Sequence, residues 1–317
     1  MHLVVNLSIS CCDFMILVCR ELEGKVYTEP FSKGILARSL FQAELNPSKA
    51  YEIANKIESD LLENDISSIS IEDLVSRIIE LLEKENPMLA ENYLNWRKIR
   101  KTEEPLIILI GGASGVGTSS ISYEVARKLG IKSIISTDMI REVMRKIVSK
   151  ELSPVIHESS FSAHDSFRVA PPPEFDHVLA GFKDHVATVA VGVDAVIERA
   201  LTEGISLIIE GVHVVPGYIR KDLMEKDNVL MFTLTLEDEE QHKNRLYSRC
   251  RDGWAHRPLQ KYLDNFDSIR KIQKYFEDQS KKEGVPIIEN IDRLTTIRFI
   301  INSIAENYGG LNNVRKY

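Results

Sequence analysis

Cysteine and long apolar runs are both scarce in this sequence. Of its 317 residues only four are cysteines, Cys11, Cys12, Cys19 and Cys250, and none forms a C-x-x-C pair. This spacing excludes the usual zinc sites and disulfide frameworks and favours a reducing, cytoplasmic setting. No segment approaches the roughly eighteen apolar residues of a membrane-spanning helix, so we expect no membrane partner.

Excess positive charge is also absent. The chain has 40 Lys and Arg residues against 47 Asp and Glu, which gives a formal net charge of −7 at pH 7. Proteins that bind nucleic acids generally present a basic surface, because their cations displace counterions from the phosphates. We therefore expect no nucleic-acid partner. The length and the 44% apolar content allow one large or two ordinary globular domains, each with its own core.

The first third of the chain predicts a short extension and a small domain. Residues 1–14 lack the basic start of a signal peptide and are predicted to be an irregular extension, with a first strand as the alternative. Residues 15–101 are predicted to form a mainly helical domain that opens with a hairpin at Gly24. Asn46 followed by Pro47 marks the start of one of its helices, because these residues suit the N-cap and the first turn.

Five apolar runs in residues 102–317 alternate with helix-like periodicity. The runs are LIILIGG, SIIST, SLIIEGVH, VLMFTLTL and VPIIEN. Such alternation predicts strands joined by crossover helices, which cover both faces of a mostly parallel sheet. The predicted fold class of residues 102–317 is therefore α/β, with three layers (α/β/α) and a mostly parallel five-stranded sheet.

A glycine-rich loop follows the first of these runs. Residues Gly112 to Ser119 match the phosphate-binding pattern G-x-x-x-x-G-K-[ST], except that Thr118 occupies the lysine position. An apolar strand pattern precedes the loop and a helix pattern follows it, so its amides are expected to bind phosphate at a helix N-terminus. A structural glycine turn is the alternative. The residues expected to contact the nucleotide are Gly112, Ser114, Gly115, Val116, Gly117, Thr118, Ser119 and Ser120.

Two oxygen-bearing side chains are expected to hold Mg²⁺ beside this loop. Ser119 supplies a hydroxyl at the position where P-loop proteins bind the metal ion. Glu210 ends the apolar run SLIIE and resembles the acidic residue of the Walker B arrangement. We therefore predict that Ser119 and Glu210 are metal ligands and that Glu210 is required for catalysis.

The second predicted strand leads into STDMIREVMRK, which carries candidates for an acceptor site. Ligands of open α/β sheets bind at the carboxyl ends of the strands, where Asp138 is expected. Asp138 is predicted to orient or deprotonate an acceptor hydroxyl, and Arg141, one helical turn further, to pair with an anionic group. The alternative is that Asp138 is a helix N-cap and Arg141 is solvated. His213, the last residue of the third run, is a candidate for substrate contact or a structural hydrogen-bonding residue.

Several arginines cluster in EQHKNRLYSRCRDGWAHRP, a basic segment of an acidic protein. Arg245 and Arg249 are four residues apart and so share one face of a predicted helix, and Arg251 and Arg257 follow. Phosphoryl transfer depends on charge stabilisation, so we predict that Arg245 and Arg249 are lid residues that swing onto the phosphates and supply the charge that Thr118 lacks. An ordinary solvated helix is the alternative.

Four segments resemble the archaeal 2-phosphoglycerate kinase family: IILIGGASGVGTSSIS, STDMIREVMR, HESSFSAH and IIEGVHVVPG. The resemblance begins at Met15 and includes threonine in place of the loop lysine. It implies a P-loop kinase that uses ATP and Mg²⁺ to convert 2-phosphoglycerate to 2,3-diphosphoglycerate, a step toward cyclic 2,3-diphosphoglycerate. Such an acceptor calls for several cations, and Arg141, Arg145, Arg168 and Lys183 all lie between the second and third strands, where a P-loop kinase builds its acceptor site. Spacing alone does not decide which of them face the cleft; Arg168 is predicted, with Arg141, to bind the substrate. The segment GKVYTEPFSKGILARSLFQAEL is similar to an ATP-cone, a small helical nucleotide-sensing module.

Two other functions are compatible with the sequence. One is a different small-molecule P-loop kinase, which would share the loop and Glu210 but have another acceptor pocket. The other is a non-catalytic ATP-sensing regulator, in which the ATP-cone and the lysine-less loop bind ATP to control a partner. A homo-oligomer is also compatible with the sequence. Release of ADP with one phosphorylated acid distinguishes the kinase from the regulator.

Overall fold

The computed structural model describes most of the chain. It covers residues 16–22, 24–42, 45–100, 104–167, 169, 172, 174–252 and 259–314, without the side chains at 22, 42, 100, 249–252 and 308–314. The predicted extension at residues 1–14 therefore lies outside the described residues. The chain forms two compact units, one up to Arg97 and one from Lys98 onward.

The first unit combines a small sheet with helices. Its elements are β1 (Leu17–Leu22), β2 (Lys25–Pro30), α1 (Lys33–Gln42), α2 (Pro47–Glu63), β3 (Ser68–Ser70) and α3 (Ile71–Glu85), and α4 (Pro87–Arg100) follows them. β1 pairs antiparallel with β2, as the hairpin pattern predicts, and parallel with β3. Asn46 caps α2, because its side chain accepts a hydrogen bond from the backbone of Lys49 at 2.8 Å. The sequence pattern misses β3, since three residues are too few to show alternation.

The second unit is built on a five-stranded sheet. Its strands are β4 (Ile107–Gly111), β5 (Ser133–Ser136), β6 (Leu207–Gly211), β7 (Val229–Thr235) and β8 (Ile287–Glu289). Their order is β5-β6-β4-β7-β8, and each pairing between these described strands is parallel. The predicted mostly parallel five-stranded sheet is thus confirmed.

Helices cover both faces of this sheet and complete the predicted α/β/α layers. They are α5 (Thr118–Leu129), α6 (Thr137–Ile147), α7 (His177–Glu203), α8 (Lys221–Met224), α9 (Glu239–Asp252), α10 (Leu259–Asp264), α11 (Phe266–Glu283) and α12 (Arg293–Val314). Side chains of the fully buried strand β4 alternate between two cores, since Ile108 and Ile110 belong to one cluster and Ile107 and Leu109 to the other. Within the described part of the chain, no helix has the length and apolar character needed to cross a membrane.

The strand register decides which residues meet at one edge of the sheet. Gly111 at the end of β4 pairs with Gly211 of β6, and Ser136 at the end of β5 pairs with Glu210 of β6. The glycine-rich loop, the start of α6 and the acidic end of β6 therefore lie side by side. This is the carboxyl edge, where open α/β sheets bind ligands.

Candidate active site

The glycine-rich loop leads directly into the N-terminus of α5. Gly117 is the N-cap, with φ of 101°, and a Cβ added there would lie 2.7 Å from Asn290 Nδ2. Any other residue would therefore be strained in its backbone and would collide with that side chain. No side chain caps α5 at Gly117. The first N–H groups of α5 have no acceptor within the helix, which makes this end an anion-binding position.

Glu210 lies at the carboxyl end of β6 and is joined to the loop by two hydroxyls. Thr118 Oγ1 donates to Glu210 Oε2 at 2.8 Å, and Ser119 Oγ donates to Glu210 Oε1 at 3.0 Å. The Glu210 residue is only 6% exposed. Thr118 thus takes the position of a lysine but uses its hydroxyl to hold the carboxylate, so the structure brings together both members of the predicted metal site.

A cavity of about 960 Å³ opens over these groups. We define its loop side as the lining residues of segment 112–120 together with Glu210, Arg245 and Arg293. We define its α6 side as Ser136, Asp138, Arg141, Ser159, Ser160, Phe161 and Lys261. The predicted residues that line the cavity are Gly112, Ser114, Gly115, Gly117, Thr118, Ser119, Ser120, Asp138, Arg141, Glu210 and Arg245. Val116 is instead fully buried in the core, so only its backbone serves the loop.

Asp138 and Arg141 lie together on the α6 side. Ser136 is the N-cap of α6 and accepts from the backbone of Met139 at 3.3 Å, so Asp138 is in the first turn and is not the cap. Arg141 Nη2 lies 3.7 Å from Asp138 Oδ1, and Arg141 Nη1 donates to the carbonyl of Glu158 at 2.7 Å. This carbonyl ties α6 to the segment that contributes Ser159 to the cavity wall.

His213 lies behind the cavity and does not line it. The ring is fully buried, and Nδ1 lies 2.8 Å from Thr137 Oγ1, the residue before Asp138. A second buried ring, His185 on α7, meets it edge-on at a centroid distance of 4.8 Å. Burial lowers the pKa of His185 to about 2 and that of His213 to about 3, and the charge of Arg141 adds to both shifts. Both histidines are therefore neutral, and substrate contact by His213 stays a prediction that this position does not favour.

Arg245 is held against the loop by backbone carbonyls. Its Nη1 donates to Val116 O at 3.1 Å, and its Nη2 donates to the carbonyls of Asn290 and of Ile291, the latter at 3.2 Å. Burial, and then the charge of Arg293, lower the pKa of Arg245 from its usual value. The guanidinium is thus already beside the loop and needs no swing to reach it, whereas contact with phosphate stays a prediction.

Some predicted residues lie outside what the structure describes. These are Arg168, Arg257 and the side chains of Arg249 and Arg251. Only the backbone of Arg249 is described, as part of α9, one turn beyond Arg245. The proposed roles of Arg168 and Arg249 therefore stay predictions.

Several further lining residues were not identified as candidates from the sequence, among them Ser159, Ser160, Lys261 and Arg293. Ser159 and Ser160 follow α6 in the run HESSFSAH, which carries no periodic pattern. Lys261 and Arg293 lie on α10 and at the start of α12, where a single basic residue looks like any solvated surface charge. What these four residues share is the cavity that they line.

Known proteins match both parts of the chain. Residues 24–102 match the family model of the ATP cone domain. A curated relative, the 2-phosphoglycerate kinase of Methanothermobacter thermautotrophicus strain Delta H, is 62% identical over 292 residues, which cover 92% of this chain and 95% of that protein. The chain belongs to the 2-phosphoglycerate kinase family. The resemblances drawn from the sequence, to this family and to the ATP-cone, are thereby confirmed.

More distant members of the family also match along most of this chain. The 2-phosphoglycerate kinase of Methanopyrus kandleri is 44% identical, with 90% of this chain and 86% of that protein covered. The one of Pyrococcus furiosus is 41% identical, with 90% and 92% covered. A solved gluconokinase from Sinorhizobium meliloti 1021 covers 68% of this chain and 99% of its own, at 16% identity and a TM-score of 0.41.

Proposed function

We propose that this family member transfers the γ-phosphoryl group of ATP to the 3-hydroxyl of 2-phosphoglycerate, giving 2,3-diphosphoglycerate and ADP. The observation that carries the proposal is a single cavity. The glycine-rich loop and Glu210 line one side of it, and Asp138 and Arg141 line the other. The name shared by the relatives points to the same acceptor. That acceptor carries a carboxylate, a phosphate and a free hydroxyl, so it calls for cations and an orienting carboxylate.

The loop side suits the triphosphate of ATP. The free amides at the start of α5 favour anions, and backbone groups need no lysine for this role. Arg245 adds a cation that is fixed beside the loop by three carbonyls. We therefore propose that Arg245, together with Arg249, takes over the charge that a loop lysine would provide.

Mg²⁺ fits the chemistry of the groups at Glu210. Among the described residues, no cluster of three or more His, Cys, Asp and Glu side chains is available for a metal ion. Mg²⁺ does not require one, because it prefers oxygen ligands and is commonly held by one or two carboxylates, water and substrate phosphates. Ser119 and Glu210 would hold it here. When bound, the ion would neutralise charge on the phosphates of ATP.

The α6 side suits the acceptor. Asp138, in the first turn of α6, would orient the 3-hydroxyl and accept its proton as the oxygen attacks. The new bond joins that oxygen to the γ-phosphorus, the bond from this phosphorus to the β–γ bridging oxygen breaks, and ADP leaves. Arg141 would pair with an anionic group of the acceptor, which also holds the hydroxyl in place.

The proposal is tested by supplying purified protein with Mg-ATP and separate acceptors: 2-phosphoglycerate, 3-phosphoglycerate, glycerate and shikimate. We expect ADP release with 2-phosphoglycerate, a product identified as 2,3-diphosphoglycerate by phosphorus NMR, and a kcat for Glu210→Gln that is lower by roughly a hundredfold or more. Faster turnover of another acceptor would replace the proposed substrate. Binding of ATP without turnover of any acceptor would favour the ATP-sensing regulator.

A further inference from the structure

We infer that Lys261 is a second cation for the acceptor and binds one of its two anionic groups while Arg141 binds the other. The inference rests on the proposed function, because it assigns part of the 2-phosphoglycerate site. Lys261 lies on α10 and lines the same cavity as Arg141. It is 120 residues beyond Arg141 in the sequence, so no motif connects them.

Contacts along one segment place Lys261 on the α6 side. Arg141 donates to the carbonyl of Glu158 at 2.7 Å, and the residues that follow, Ser159 to Phe161, line the cavity. The Lys261 ammonium lies 5.9 Å from the centroid of the Phe161 ring, which packs against Tyr262 at 5.4 Å. Arg141 and Lys261 therefore border the two ends of one short stretch of cavity wall.

The other cations of the cavity belong to the loop side. Arg245 is bonded to carbonyls at Val116, Asn290 and Ile291. Arg293 lies close enough to lower the pKa of Arg245 by charge repulsion, which places it on the same side. Among the cavity residues that the structure describes, Arg141 and Lys261 are then the cations left for an acceptor with two anionic groups.

Lys261 is also chemically available for such a contact. Its side chain is exposed, and no carboxylate of the described residues forms an ion pair with it. An ammonium on a flexible stem can follow a phosphate or a carboxylate, whereas the planar guanidinium of Arg141 favours one fixed geometry. Recognition of both anionic groups would align the 3-hydroxyl with Asp138 and would discriminate against acceptors with a single anionic group.

The test compares Lys261→Ala and Lys261→Arg with a matched control, Lys243→Ala. Lys243 also lies over a phenylalanine ring, at 5.0 Å from the Phe266 centroid, but it does not line the cavity. We expect Lys261→Ala to raise KM for 2-phosphoglycerate roughly tenfold or more, the scale of a lost charge-assisted hydrogen bond. KM for ATP should stay within about twofold, Lys261→Arg should recover most of the loss, and Lys243→Ala should match the wild type.

Direct binding of 2-phosphoglycerate, measured by calorimetry on the same proteins, separates the two levels of the proposal. If Lys261→Ala left KM for 2-phosphoglycerate unchanged, or raised KM for ATP equally, the role of Lys261 would be overturned. The proposed function would still stand. Wild-type protein that neither binds nor phosphorylates 2-phosphoglycerate would overturn the proposed function, and the inference with it. Circular dichroism of the exposed-site variants checks that each has folded.

Discussion

The two sides of the cavity recognise charge in different ways. The loop side is mainly one continuous segment joined to Glu210, and much of its anion-binding capacity comes from backbone amides at the start of α5. The α6 side gathers separate stretches of the chain, and there we propose that side chains such as Arg141 and Lys261 bind the anionic groups. A backbone site tolerates a changed side chain, which accounts for threonine at position 118. A side-chain site should be sensitive to single substitutions and should determine acceptor specificity.

The largest effect is expected at Glu210, whose carboxylate is bonded to both loop hydroxyls. Glu210→Gln keeps the shape of a buried residue but removes its charge, so it should lower kcat roughly a hundredfold or more. Steady-state kinetics with ATP and 2-phosphoglycerate measure this, and circular dichroism serves as the control for folding. Activity within a few-fold of wild type would remove Glu210 from the mechanism.

Arg245 should follow, with a loss on the order of a hundredfold in kcat, the scale for one group that stabilises charge in the transition state. Arg245→Ala removes a cation and leaves three backbone carbonyls without this donor. Arg245→Lys keeps the charge but loses the forked geometry, so it separates the two effects. Recovery of kcat in the lysine variant would assign the role to charge, whereas an equal loss in both would assign it to the hydrogen bonds that shape the loop.

Substitutions at Arg141 and Asp138 test whether the α6 side acts on the acceptor separately from the loop side. Arg141→Ala is expected to raise KM for 2-phosphoglycerate by roughly tenfold or more and KM for ATP far less, since the proposed contact of Arg141 is with the acceptor. Asp138→Asn should instead lower kcat, because it removes the group that we propose accepts the hydroxyl proton. Equal damage to both KM values would show that the sides are not separate.

The buried pair behind the α6 side predicts a pH dependence of stability. His185 and His213 have folded-state pKa values of about 2 and about 3 against an ordinary value of 6.5, with Arg141, Arg145 and Asp138 as the nearby charges. The unfolded state therefore binds more protons below pH 6.5, so stability is lost as the pH falls toward the folded-state values.

Between pH 6.5 and its folded-state pKa, each histidine should lower the free energy of unfolding by about 1.4 kcal/mol for each unit by which the pH falls. Urea unfolding between about pH 5 and 7.5 measures it, with His213→Asn as the comparison because an asparagine amide can keep the bond to Thr137. As the pH falls, the free energy of unfolding of the wild type should decrease more than that of His213→Asn. A constant difference across this range would contradict the buried neutral state of His213.

The smallest effect is expected at Thr118. Thr118→Ala removes one hydrogen bond to Glu210, while Ser119 keeps the other and the loop amides are unchanged. Because the carboxylate keeps the Ser119 donor and its place beside the loop, we expect a loss of less than about tenfold in kcat. The opposite result would be a Thr118→Ala variant with little activity and an Arg245→Ala variant with nearly normal activity. It would show that the Thr118 hydroxyl matters more for catalysis than the Arg245 guanidinium.

Sequence patterns predicted the elements of the second unit but only part of its site. The five apolar runs were long and regular enough to identify β4 to β8, and the loop motif identified the anion-binding turn. Asp138 and Arg141 were found because strand ends are expected to meet at one edge. Thr137 and His185 were missed, because buried contacts between distant residues leave no local pattern.

The sequence by itself determined the strand–loop–helix motif, the parallel sheet and the family, because each depends on residues that are close together in the chain or on similarity along its length. Tertiary structure alone decided that Thr118 bonds to Glu210, that Arg245 is fixed by carbonyls and that Lys261 shares a cavity with Arg141. These contacts join residues far apart in sequence. Their distances depend on how helices and strands pack, which hydrophobic periodicity does not specify.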